Sequence, residues 1–172
     1  LNYLLHERKE KSMEVKTVYH GSNVEVAHPR ILQNGFYKDF GYGFYCTAYA
    51  KQAKRWAITR SGNAILNKYT YQLNKELKLL LFEDLSDAWL SFVVDCRRGI
   101  EHGYDIVEGP MADDQIWNFV EAYAAGRISK TAFWELAKFN YPTHPGTTKI
   151  RTYRFHPTWI ACFPGQKAPA GN

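Results

Sequence analysis

Residues 38–57 read KDFGYGFYCTAYAKQAKRWA, and this stretch decides the fold more than any other. The pattern predicts a glycine- and aromatic-rich loop at 36–43, a short strand at 44–47 and a helix at 49–60. Gly41 and Gly43 let another group approach the main chain closely. The rings that surround them form a surface that suits a flat aromatic ligand.

Upstream of this loop, residues 15–20 (VKTVYH) predict a strand, and Gly21-Ser22-Asn23 predict a turn after it. The segment Tyr19-His20-Gly21-Ser22 lies at the end of this strand. A histidine at a strand end offers one ring donor and one ring acceptor. Gly21 leaves its backbone N–H and C=O open to an amide of a ligand. The two segments together form the candidate site.

The remaining pattern mixes helices and strands without repeated βαβ units, so it predicts an α+β fold with a largely antiparallel or split sheet. The other predicted elements are a short helix at 29–34, strands at 64–73 and 77–82 around a tight turn at 74–76, a helix from Ser86 to 98, a strand at 104–107 ended by Gly109-Pro110, and helices at 113–125 and 129–139.

The chain has 172 residues, which corresponds to one domain, and its 45% hydrophobic composition excludes wholesale disorder. No apolar run approaches the length of a membrane helix, and no signal peptide opens the chain. The three cysteines are far apart and form no metal motif, which fits a reducing compartment. We therefore expect a cytoplasmic protein with no metal site and no membrane partner.

The net charge of +5 comes from the two ends of the chain. Residues 13–140 carry equal numbers of basic and acidic side chains, which argues against a nucleic-acid partner. Residues 1–12 are expected to be a flexible leader. Residues 141–172 hold five of the seven prolines, so we expect an irregular basic tail in which only 149–155 could form a strand. The domain itself is placed at 13–140.

The motifs YHGS at 19–22 and GYGFYCT at 41–47, in this order, resemble the ADP-ribosyltransferase superfamily, which includes diphtheria toxin and the poly-ADP-ribose polymerases. A bacterial family of unknown function within that superfamily is similar over residues 15–140. That likeness also rests on PRI at 29–31, on QA and WA at 52–57, and on YDIVEGPMADD at 104–114.

The resemblance implies a split-sheet fold with a cleft for NAD+, and a mono-ADP-ribosyltransferase, of the kind found in bacterial toxins, that uses NAD+ as a substrate. It also implies a macromolecular acceptor and, for a toxin, an antitoxin partner. His20 would bind the adenosine ribose, the Gly21 backbone would hold the nicotinamide carboxamide, and Tyr45 would stack on the nicotinamide ring. His20 and Tyr45 are the catalytic candidates. The predicted binding residues are His20, Gly21, Ser22, Asp39, Phe40, Gly41, Gly43, Phe44, Tyr45 and Thr47.

Two of these residues also have plain structural explanations. Asp39 also suits an Asx turn before Phe40, and Tyr45 also suits core packing.

The superfamily's third motif supplies Glu, Gln or another residue near the start of a late strand, and this chain departs from that pattern. No Glu or Asp follows Glu135, and the Gln166 of the tail lies between prolines. Glu108 and Asp113 are the alternative carboxylates. A non-catalytic module that binds NAD+ or ADP-ribose therefore stays open beside the enzyme, and a basic tail that binds nucleic acid is a third alternative.

Overall fold

A computed structural model of the chain describes residues 15–31, 38–72, 76–112, 114–140 and 158–162. Its elements, in chain order, are β1 (Val15–Ser22), β2 (Phe44–Thr47), α1 (Ala50–Ile58), β3 (Ile65–Gln72), β4 (Leu79–Leu81), α2 (Asp87–Arg97), β5 (Ile106–Pro110), α3 (Asp114–Ala124), α4 (Lys130–Asn140) and β6 (Thr158–Cys162).

The six strands form one sheet in the order β3-β1-β2-β6-β5-β4. All neighbours are antiparallel except β4 and β5, which run parallel and are joined by the crossover helix α2. The α+β class is therefore confirmed. The strands predicted at 64–73 and 77–82 do not pair with each other, because β3 pairs with β1 along its whole length and β4 pairs with β5. They lie at opposite edges of the sheet.

Strand β6 corrects the expectation that 149–155 holds the tail's only strand. Residues 158–162 pair with β2 on one side and with β5 on the other. The sequence Thr-Trp-Ile-Ala-Cys favours a strand, and Pro157 and Pro164 bound it without interrupting it. Residues 1–12 and 149–155 lie outside the described residues.

Two further predicted boundaries change. Residues 29–31 are not helical, and the rest of the helix expected at 29–34 lies outside the described residues. Strand β5 continues through Gly109 and Pro110, where the sequence predicted its end. Glycine is needed at position 109, because a Cβ atom there would lie 2.9 Å from the Cβ atom of Phe82.

The two faces of the sheet carry different cores. One face, here called the helix face, bears Tyr45 and Val107 and packs against a large buried cluster that includes Trp89, Ile116 and Phe133. The predicted Ser86 cap is confirmed, since the Ser86 hydroxyl accepts from the Trp89 N–H at 3.1 Å and orients α2.

The opposite face, here called the second face, bears a smaller buried cluster of Val18, Cys46 and Ile106. The strand registers place His20 and Glu108 on this face as well. Within the described residues, none of the helices is both long and apolar enough to span a membrane.

Candidate functional site

Strands β1 and β2 separate beside the YHGS motif. Only one pair joins them, Tyr19 with Thr47, although β1 continues for three more residues and pairs with β3 throughout. In an antiparallel strand, successive residues point their N–H and C=O groups to alternate sides. Residues 20–22 therefore direct backbone groups into the gap, which we call the β1–β2 split.

The His20 side chain spans the gap between β1 and β2. Its Nδ1 atom lies 2.7 Å from the Tyr45 carbonyl oxygen, and because a carbonyl only accepts, Nδ1 carries the proton. Nε2 is therefore the acceptor nitrogen. Burial lowers the pKa of His20, Lys38 and Arg60 lower it further, and the Tyr45 bond opposes them. The imidazole is thus neutral near pH 7 and suited to accept a hydrogen bond from a ligand hydroxyl.

The packing of α1 on the helix face of the sheet requires a glycine at position 21. A Cβ atom at this position would lie 1.9 Å from the Ala53 carbonyl oxygen of α1. The absence of a side chain therefore lets α1 lie directly on β1. This packing role is independent of any contact that the Gly21 backbone makes in the split.

Tyr45 lies in the core and is only 5% exposed. Its hydroxyl donates to the Gly41 carbonyl at 2.8 Å and accepts from the Phe40 N–H at 3.1 Å. Burial raises the pKa of Tyr45, so the phenol stays protonated. The Lys38 ammonium lies 4.8 Å from the centre of its ring. The Tyr45 ring, on which the resemblance stacks nicotinamide, is therefore next to a cation.

Asp39 has a structural role in the described core, and its contact with a ligand stays a prediction. It is fully buried, and its Oδ1 atom accepts from the Arg97 Nε at 3.0 Å. Its Oδ2 atom accepts from the Ala112 N–H at 2.6 Å. Burial raises the pKa of Asp39, and the Arg97 guanidinium opposes that rise. The ion pair attaches the loop at 38–43 to α2 and to the end of β5, so the Asx-turn alternative does not describe it.

The other predicted residues divide between the split and the core. Phe44 lies beside His20, with 4.6 Å between ring centroids, and Ser22 ends β1 at the split. Phe40 and Thr47 are fully buried, and their contact with a ligand stays a prediction. The Thr47 hydroxyl instead donates to Gln52 Oε1 at 2.8 Å.

The two glycines of the predicted site lie in the loop before β2. Gly41 has a positive φ of 83°, which explains a glycine in the turn at 38–41. Gly43 is the last loop residue before Phe44.

Asn67 is a site residue that the sequence analysis missed. It is 7% exposed, and its Oδ1 atom accepts from the Val26 N–H at 2.8 Å. Its amide nitrogen lies 3.4 Å from the His20 carbonyl and 3.3 Å from the Val24 carbonyl. The side chain thus holds the segment that follows β1. An asparagine in the middle of a strand is the signal that was available, because strands are depleted in asparagine.

Glu108 is the carboxylate of the described strands that shares the second face with His20. Its register position lies opposite residue 160 of β6, which in turn lies opposite Cys46. Its Oε2 atom is 3.7 Å from the Lys16 ammonium, and its side chain is 22% exposed. Asp113 lies outside the described residues. Among the residues that the structure covers, no group of three or more His, Cys, Asp or Glu side chains could hold a metal ion.

A protein family described as "Protein of unknown function (DUF3990)" matches residues 16–149, well over half of the chain. The chain belongs to the DUF3990 family. The DUF3990 match covers β1 from Lys16 onward and β2 to β5, and therefore both strands of the split, whereas β6 lies beyond its end. Comparison with curated proteins and with solved structures found no match.

Proposed function

We propose that this DUF3990 protein binds NAD+ at the β1–β2 split and transfers ADP-ribose from it to a macromolecular acceptor, on an ADP-ribosyltransferase-like core. The observation that carries the proposal is the single pair that joins β1 and β2, with His20 bonded across the gap to the Tyr45 carbonyl. Two motifs that lie far apart in the sequence supply the two edges of one opening.

Each edge of the split offers a group that fits part of NAD+. The main-chain edge of residues 20–22, which β2 leaves unpaired, would pair with a planar carboxamide as a neighbouring strand does. The neutral His20 ring accepts from a ribose hydroxyl through Nε2. The Phe44 ring beside it supplies apolar surface, and Tyr45 lies behind with its ring under Lys38.

The reaction breaks the N-glycosidic bond, and its electron pair leaves with nicotinamide. The acceptor nucleophile forms a new bond to the ribose carbon and releases a proton. Positive charge develops on the ribose in the transition state, so a carboxylate placed there accelerates the reaction. Glu108 is the candidate, since it shares the face of the sheet with His20 and is partly exposed.

One observation favours a second function, binding of NAD+ or ADP-ribose without turnover. The resemblance places the third-motif residue near the start of a late strand, and β6 reads Thr-Trp-Ile-Ala-Cys, with neither Glu nor Gln. Under this alternative, Glu108 has a structural role through Lys16.

Proton NMR of NAD+ mixed with the protein tests both functions in one experiment. Line broadening reports binding, and free nicotinamide reports cleavage. The variants are His20→Gln and Glu108→Gln, with exposed His28→Gln as the matched control. A third variant, Tyr45→Phe, keeps the buried ring and removes only the hydroxyl.

We expect nicotinamide release by the wild-type chain and by His28→Gln, about a 100-fold or greater loss in Glu108→Gln, and weaker binding by His20→Gln. Broadening without release supports the binding module. Absence of broadening with the folded wild-type protein contradicts both functions. Unchanged nicotinamide release by Glu108→Gln would agree with the proposed transfer but would contradict the proposed role of Glu108.

A further inference from the structure

Basic and acidic side chains occupy different parts of the chain, although their numbers over residues 13–140 are equal. Residues 40–75 contain six basic side chains and no acidic one. Residues 76–126 contain eleven acidic side chains and three basic ones. The first stretch includes α1 and β3, and the second includes α2, β5 and α3. The balanced total therefore consists of a basic segment and an acidic segment.

Helix α1 carries much of the basic segment on a side that we call the outer face of α1. Ala53 and Ala57 are buried, and both approach β1. At about 100° per residue, positions 51 and 55 lie on the opposite side of the helix, and position 54 is a neighbour of both. Lys51, Lys54 and Arg55 are exposed, and the ion pairs of the described residues involve none of them. Among the described elements, α1 packs only against β1, β2 and β3, so the outer face is uncovered there.

Two exposed rings lie along one flank of the outer face. Trp56 is 46% exposed and follows Gln52 by one helical turn. The Gln52 side chain accepts from the Thr47 hydroxyl of β2, so this flank of α1 is directed toward β2. Tyr49 is 59% exposed and precedes Trp56 by about two turns, or about 10 Å along the axis. A row of cations therefore has aromatic rings along its side.

We propose that the outer face of α1 binds single-stranded nucleic acid. A single strand offers both groups that this face recognises, a phosphate at every nucleotide and a flat base beside it. Lys51, Lys54 and Arg55 neutralise phosphates, and Trp56 and Tyr49 stack on bases. The inference goes beyond the proposed function, because no step of it involves NAD+ or the β1–β2 split.

Other polyanions lack one of these two groups. In a duplex the bases are stacked on each other, so their faces are closed to the rings of α1. An acidic protein surface, including the acidic segment of a second copy of this chain, offers carboxylates without flat bases. The contribution of the rings therefore distinguishes a single strand from these alternatives.

Fluorescence anisotropy with a labelled oligothymidylate of about 12 nucleotides tests the proposal, because this probe forms no duplex with itself. The titration is repeated between about 50 and 200 mM salt. The competitors are the unlabelled strand, a duplex of the same length, and polyglutamate at the same concentration of charges. Analytical ultracentrifugation of the protein alone measures self-association.

Lys51→Gln and Arg55→Gln each remove one cation from the outer face. For each variant we expect the slope of log K against log salt to become less negative by about 0.7, which weakens binding about fivefold at about 0.1 M salt. Arg127→Gln is the matched control, because Arg127 is exposed between α3 and α4 and lies outside this face. Its affinity should equal that of the wild type. An equal loss in Arg127→Gln and Arg55→Gln would contradict a site on α1.

Trp56→Leu removes a ring and leaves the charge unchanged. We expect about a fivefold or greater loss of affinity with the salt slope of the wild type, because stacking on one base is lost. Tyr104→Leu is the matched control, since Tyr104 is 37% exposed and precedes β5. Tyr49→Leu repeats the test at the residue before α1, should circular dichroism show that Trp56→Leu is unfolded. Unchanged affinity in a folded Trp56→Leu protein would overturn the proposal.

Other results also overturn the proposal. Absence of oligothymidylate binding at about 50 mM salt removes the site. Competition by polyglutamate that equals competition by the unlabelled strand identifies an acidic protein as the partner. Stronger competition by the duplex than by the unlabelled strand excludes the preference for single strands. A wild-type dimer that dissociates in Arg55→Gln identifies a second copy of the chain as the occupant.

Failure of this inference is distinguishable from failure of the proposed function, because the titration contains no NAD+. Oligothymidylate binding by a protein that neither binds nor cleaves NAD+ supports the outer face of α1 as a binding surface and contradicts the proposed function. NAD+ cleavage by a protein that does not bind oligothymidylate supports the proposed function and contradicts this inference.

Discussion

Replacement of Gly21 by alanine places a methyl group against the backbone of α1. The new Cβ atom would lie 1.9 Å from the Ala53 carbonyl oxygen and 2.8 Å from the Ala57 nitrogen. An ordinary contact begins near 3.4 Å, so α1 must move away from β1 by about 1.5 Å. No rotamer change relieves the contact, because both of these atoms belong to the main chain.

Overpacking of this kind costs about 1–3 kcal/mol where neighbours adjust, and a backbone contact lies at the upper end. We therefore expect Gly21→Ala to lower the free energy of unfolding by about 3 kcal/mol. For a chain of this size, that loss lowers the melting temperature by about 6–12 °C. Urea denaturation followed by circular dichroism measures the first quantity, and calorimetry measures the second.

Gly103→Ala is the matched control, because a Cβ atom there meets nothing within 4 Å. Its stability should stay within about 0.5 kcal/mol of the wild type. A second variant, Ala53→Gly added to Gly21→Ala, should restore nothing, since the obstructing atom is the carbonyl oxygen. A Gly21→Ala protein as stable as the wild type would refute the packing argument and leave Gly21 with a ligand role alone.

Three further predictions follow from buried or capping contacts. Asp39→Asn removes the buried charge that faces Arg97, so we expect a loss of about 3 kcal/mol in urea denaturation; an unchanged midpoint would contradict the bridging role. Ser86→Ala removes the acceptor for the Trp89 N–H and should cost about 1 kcal/mol, whereas Ser86→Asp should keep most of the stability. The His20 ring should titrate by NMR with a midpoint below 6.5. Because its pKa is lower in the folded state, the unfolded state binds more protons below pH 6.5. The free energy of unfolding should therefore decrease as the pH is lowered through this range. The contribution of His20 to that decrease should vanish in His20→Gln.

The sequence predicted most elements of the fold because their patterns are local. The strands at β1 and β2 and the helices α1, α2 and α4 all begin and end close to the expected residues. The Ser86 cap was readable for the same reason, since a cap needs only neighbours three residues away. The order of the strands was not readable, because strand pairing joins residues far apart in the chain.

The candidate site was predicted in part. The sequence predicted that His20, Gly21 and Phe44 share one site, because the two motifs that hold them resemble those of a known superfamily. In the structure these residues lie at the β1–β2 split. It did not distinguish residues that face the split from residues that support it. Asp39 and Tyr45 looked like ligand contacts, yet each completes its hydrogen bonds inside the protein.

By itself, the sequence determined the mixed helix and strand content, the glycine-rich loop and the ordered motifs on either side of it. Tertiary structure alone decided that β6 enters the middle of the sheet, that β3 and β4 lie at opposite edges, and that the Asp39 carboxylate faces Arg97. It also decided which groups surround His20. The physical reason is that propensity and capping act over a few residues, whereas register, burial and charge pairing depend on residues brought together only when the chain folds.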